Sequence, residues 1–109
     1  MKLRILDEAE AELLSVTRYY EARQEGLGLD FYQLVAECMA TIAEDPERFL
    51  LYEGVRAKLG IRRALVDRFP YVVVYKILPS EVLVIAVAHA SQRAGYWRHR
   101  AQQAASGAA

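Results

Sequence analysis

The residues best suited to chemistry crowd into the second half of the chain. His89 is followed within 11 residues by Arg93, Tyr96, Trp97, Arg98 and Arg100, and Arg62, Arg63, Arg68 and Lys76 precede it. Cleaving a phosphodiester without a metal takes a base for the attacking hydroxyl, an acid for the leaving oxygen and cations for the phosphate. These residue types are present. His89 can serve as base or acid, because imidazole titrates near neutral pH. Arg63, Lys76 and Arg93 can hold phosphate, and Tyr96 can donate a proton or stack on a base. Arg63, Arg68, Lys76 and Arg98 suit an acidic protein surface equally well. In that case Trp97, expected to be partly exposed, is the natural contact anchor. A plainer reading has His89 hydrogen-bonding nearby backbone and Tyr96 and Trp97 packing on a sheet edge. All three readings stay open at the level of the residues.

These side chains need elements to position them. Lys2 to Leu6 alternates in part and reads as a first strand. Asp7, three residues before Glu10, resembles a capping box at a helix start. Ala9, Leu13, Val16 and Tyr20 then form one face of a helix running to about Gln24. Gly26 and Gly28 mark a tight connection. A second stripe through Phe31, Leu34, Val35, Cys38 and Ile42 runs to Asp45-Pro46, where proline stops it. Two helices so closely linked must form an antiparallel hairpin. Residues 47–60 read as a loop with a short helical turn.

Beyond them the composition turns to Val, Ile and Tyr. Ile61 to Phe69, Tyr71 to Leu78 and Val82 to Ala88, separated by Pro70 and Pro79-Ser80, read as three antiparallel strands. The last two are apolar on both faces, which suits central positions. Alternation turns Arg62 and Arg63 to opposite faces, so only one of them can join a given site. The expected fold is α+β with the order β-α-α-β-β-β, a helical hairpin packed on a mainly antiparallel four-stranded sheet. Residues 1–100 are expected to form one domain and residues 101–109 a flexible tail.

At 109 residues the chain has room for one core and not two. One cysteine, Cys38, allows neither an internal disulfide nor a four-ligand zinc site, and its place on the apolar stripe suggests a buried thiol. No metal or cofactor is expected. His99 has no evident companion, and no glycine-rich phosphate loop occurs. The first residues lack the apolar run of a signal peptide, and Val82 to Ala90 is too short to cross a bilayer, so a cytoplasmic protein without membrane association is expected. The net charge is zero, but residues 1–54 carry 5 Lys/Arg against 12 Asp/Glu and residues 55–109 carry 9 against 2. The two halves can attract each other, or the basic one can attract a partner.

This order of elements, with several stretches of sequence, resembles the RelE/ParE superfamily of type II toxins. The stretches are Asp7-Glu8-Ala9-Glu10-Ala11-Glu12-Leu13 with Tyr19-Tyr20, Phe31 and Asp45-Pro46 bounding the second helix, Arg62-Arg63, and Arg68-Phe69-Pro70-Tyr71-Val72-Val73-Val74-Tyr75. The run Val84-Ile85-Ala86-Val87-Ala88-His89 and the residues Arg93 and Tyr96-Trp97 complete it. The resemblance covers residues 1–98. It implies a cognate antitoxin partner that wraps and neutralises the toxin, alone or in a toxin–antitoxin hetero-oligomer or homodimer. It also implies one of two targets. RelE-like members cleave mRNA on the ribosome, and there His89, Arg93 and Tyr96 would be the catalytic set. ParE-like plasmid stabilisation proteins inhibit DNA gyrase by protein contact. The neutral overall charge and the ParE-like C-terminal run favour gyrase. A degenerate, non-toxic member is a third possibility.

Overall fold

A computed structural model describes the backbone of residues 1–107 and the side chains of residues 1–101. Strand β1 (Lys2–Ile5) leads without a loop into helix α1 (Asp7–Arg23). Asp7 is not the cap. Leu6 occupies that position, with its N–H bonded to Val84 O at 3.0 Å and its own carbonyl accepting Glu10 N–H at 3.0 Å. The sheet holds the chain so close to the helix start that no residue is spare for a side-chain cap. Asp7, Glu8 and Glu10 lie in the first turn instead, where each favourable charge typically contributes about 0.3–1 kcal/mol.

Helix α2 (Leu27–Glu44) begins almost at once. Gly26 makes the turn at φ +86°. Gly28, expected in the connection, is the second residue of α2, and a Cβ there would come within 2.8 Å of the Glu21 Cβ. Its missing side chain lets the two helices approach. Glu21 then accepts Gly26 N–H at 2.9 Å and Gly28 N–H at 3.0 Å, capping α2 from α1. Phe31, Val35, Met39 and Ile42 are buried, Cys38 is half-buried, and the helix stops before Asp45-Pro46. A single 3₁₀ turn (Ala57–Leu59) punctuates the following loop.

Strands β2 (Ile61–Leu65), β3 (Tyr71–Ile77) and β4 (Glu81–His89) complete a sheet of order β1-β4-β3-β2. The β1–β4 pair is parallel and the other two pairs are antiparallel, so the two apolar strands are central. Strand β2 ends four residues earlier than its composition suggests. Val66 N–H bonds Tyr71 O at 2.8 Å, and a turn follows in which Arg68 takes φ +66°. The pairing of Val74 with Ala86 and Tyr75 with Val84 leaves Ile85 as a bulge. The bulge inverts the alternation of β4. Val82, Val84 and Val87 face the hairpin core, while Leu83, Ile85, Ala86 and Ala88 face the other side.

That other side carries a second core, covered by residues 52–59 and a helix the sequence reading did not foresee, α3 (Gly95–Gly107). Residues 101–107 of the expected tail thus continue a helix, and residues 108 and 109 lie outside the described residues. The expectation for Trp97 is also overturned. It is fully buried, its ring meeting Tyr52 at 5.2 Å, so it supports α3 from within. Its polar neighbours in sequence disguised this, because α3 presents only a short apolar edge to the sheet.

Candidate functional site

Strand β1 is four residues long, so its ladder with β4 stops at Ile5 and Val84. Along the rest of that edge, side chains supply the partners a strand would have supplied. Val87 N–H donates to Glu12 Oε1 at 3.1 Å, and His89 N–H donates to Gln92 Oε1 at 2.9 Å. Arg100 donates to Ile85 O at 3.3 Å and forms a two-pronged pair with Glu12 at 3.0 and 3.3 Å. Charge-assisted bonds of this geometry are among the stronger polar contacts in proteins. Glu12 and Arg100 therefore fasten α1 to α3 across the open edge of β4. Beside them lies a groove of about 410 Å³ whose walls include Glu12, Ser15, Tyr71, Val87 and Gln92.

His89 stands at the end of β4 opposite Tyr71, with ring centroids 5.2 Å apart. Its Nδ1 accepts Ser91 N–H at 3.1 Å and lies 2.7 Å from Ser91 Oγ. An Nδ1 that accepts a backbone N–H leaves the proton of the neutral ring on Nε2. Tyr96 is half-buried beneath the Arg100 guanidinium, which lies 5.2 Å from its ring centre. Burial, then the Glu12 carboxylate beside it, pushes the phenol well above its ordinary range. Such a phenol holds its proton and is poorly suited to donate it near neutral pH. Arg93 is exposed on the turn between β4 and α3. Among the described residues, no hydrogen bond, ion pair or ring contact joins His89, Arg93 and Tyr96.

Most of the cations do not gather at His89. Arg63 and Lys76 pair with Val74 and Ile61, whose side chains belong to the second core. His89 pairs with Tyr71, which packs against the first. Arg63 and Lys76 therefore project from the face opposite His89. Arg63 lies over the Tyr52 ring at 5.3 Å. Arg62, turned the other way, donates to Phe49 O at 2.6 Å and ties down the loop after α2. Arg68 covers Phe69 at 6.0 Å in the β2–β3 turn, at the His89 end of the sheet. Arg98 lines a separate cavity with Arg56.

Glu12, Ser91, Gln92 and Arg56 are the residues that sequence reasoning missed. Only Glu12 left a trace. It stands beside Leu13 and one turn before Val16, on the flank of an apolar stripe where a carboxylate needs a partner. No group of three or more His, Cys, Asp or Glu side chains is arranged to hold a metal among the described residues, and no helix among them is long and apolar enough to cross a membrane.

Residues 3–94 match the family model described as "ParE toxin of type II toxin-antitoxin system, parDE". The search of curated proteins found no match. A solved structure titled "Chromosomal ParDE TA system from P. aeruginosa" is similar in fold, with a TM-score of 0.69 and 17% sequence identity over 82% of this chain and 95% of that one.

Proposed function

Because this chain belongs to the ParE toxin family of type II toxin–antitoxin systems, we propose that it arrests bacterial growth in the cytoplasm by binding DNA gyrase, and that a cognate antitoxin neutralises it. The observation that carries the choice of target is the dispersal of the groups that RNA cleavage would require. A metal-free nuclease needs base, acid and phosphate clamp within reach of one scissile bond. Here the imidazole Nδ1 is engaged by Ser91, the phenol of Tyr96 is half-buried beside a carboxylate, and Arg63 and Lys76 project from the face opposite His89. A protein that acts by contact does not need these groups to converge.

The antitoxin is expected to find its apolar footing on the hairpin and the β2 edge, where Leu29, Tyr32, Leu50 and Leu65 are exposed. A segment that orders on binding can cover such dispersed apolar contacts as a helix or an added strand. The test has two arms. Purified protein added to gyrase should abolish supercoiling of relaxed plasmid, and the antitoxin should restore it. Primer extension on mRNA from induced cells should show no new cuts. Cuts at ribosome-occupied codons, with supercoiling untouched, would move the function from binder to nuclease.

A further inference from the structure

The charge imbalance of the sequence survives folding. Of the nine Lys and Arg in residues 55–109, one, Arg100, is paired with a carboxylate among the described residues. The other described ion pair, Arg4 with Glu81, uses a cation from the acidic half. Attraction between the halves therefore accounts for little of the basic charge. Much of the remainder gathers on the face that α3 covers. Arg63 and Lys76 project there from β2 and β3, and Lys76 lies at the end where the 3₁₀ turn, with Lys58, joins β2. Arg56 from the loop and Arg98 from α3, both exposed, line one cavity of about 280 Å³ with Gly54 and Leu59. The acidic residue nearest in sequence is Glu53, and Asp67 lies in the turn at the other end of the sheet.

We propose that this cavity is a phosphate site, in which Arg56 and Arg98 clamp a phosphodiester of a nucleic-acid backbone while Lys58, Arg63 and Lys76 extend the contact along the face. Two guanidinium forks in one recess match the tetrahedral oxygens of phosphate better than lysine ammonium groups do. Of the apolar side chains assigned to the antitoxin, Leu29 and Tyr32 lie on the hairpin, across the sheet from the cavity, while Leu65 shares the face of Arg63. No large exposed hydrophobic side chain lies on residues 53–60 or on the described part of α3. An amphipathic peptide would need such anchors, whereas backbone phosphates need only charge and donors. The inference does not depend on gyrase being the target.

The experiment is a salt titration of binding to a labelled duplex DNA oligonucleotide, read by fluorescence anisotropy. The full-length protein should bind at about 50 mM salt and weaken steeply as salt rises. Replacing Arg56 and Arg98 together by Gln should weaken binding on the order of tenfold or more and flatten the log–log salt slope by about 2. The same loss of charge on α1, Arg18→Gln with Arg23→Gln, should leave slope and affinity nearly unchanged. Circular dichroism establishes that each variant is folded, and Arg→Lys replacements at 56 and 98 substitute for any that is not, with weaker binding expected. Failure of the wild type to bind overturns the site. Equal losses from both double variants mean diffuse attraction and overturn it as well. Displacement of the DNA by polyglutamate at equal charge concentration would assign the cavity to an acidic protein instead.

Discussion

His89 reads from the sequence as a candidate acid or base and Cys38 as a buried thiol, and the neighbours of each bear on how it reacts. His89 accepts Ser91 N–H at Nδ1 and keeps its proton on Nε2; the gyrase reading gives it no chemical step, so His89→Ala should leave growth arrest after induction within a few-fold of wild type. A general acid or base would contribute about 100- to 10,000-fold, so loss of toxicity by a soluble, folded variant would return His89 to catalysis. The Cys38 thiol is pushed by burial up to about 11. Its thiolate is correspondingly scarce, and iodoacetamide at pH 8 should label the native protein at least tenfold more slowly than the urea-unfolded chain. The folded state also holds this proton more tightly than the unfolded one. Its contribution to stability is therefore complete below the ordinary thiol range near 9.0 and is lost as pH rises through about 11. Cys38 was legible because it fell on a helical stripe. Trp97 was not, because Arg93, Arg98 and Arg100 surround it and nothing in one sequence marks which face of a polar helix is covered.

Among the elements, α3 depends most on a few contacts. Trp97→Ala should cost about 3–5 kcal/mol, the usual range for emptying an aromatic site. Trp97→Phe should cost much less, since the indole Nε1–H is buried without an acceptor among the described residues and Phe removes that donor. Equal losses in thermal melts would mean that the indole N–H has a partner. Across the β4 edge, Glu12→Ala leaves Arg100 without its carboxylate and Val87 N–H without its acceptor and should cost about 2–4 kcal/mol. A Glu12/Arg100 double-mutant cycle should return a coupling above about 1 kcal/mol. Purely additive losses would reduce the bridge to a surface ornament. The strands and the hairpin were readable from apolar spacing. The Ile85 bulge was hidden because the run Val82–Ala88 is apolar at every position, so a slip in alternation leaves no mark. The wedge between the helices was visible as Gly28 but read as a turn, because a glycine needed for close approach and one needed for φ look alike in sequence.

For the whole molecule, the hairpin with its acidic surplus and the opposite face with its basic one make a strongly polar body of zero net charge. Copies should attract head to tail at low ionic strength. Light scattering should show a negative second virial coefficient near 10 mM salt that rises towards zero as the screening length falls to about 8 Å at physiological salt. A coefficient indifferent to salt would mean that the two surpluses cancel within each molecule. The sheet also joins stretches far apart in the polypeptide, with Lys2 opposite Glu81 in the β1–β4 ladder. During synthesis the sheet cannot close until β4 has left the ribosome. At about 5–20 residues per second, the first strand waits roughly 4–16 s for its partner. Nascent chains cut short before Val82 should therefore remain unfolded and harmless. A cell translating this gene would meet the finished toxin all at once, late in each round of translation, when a ready-made antitoxin could already be close by.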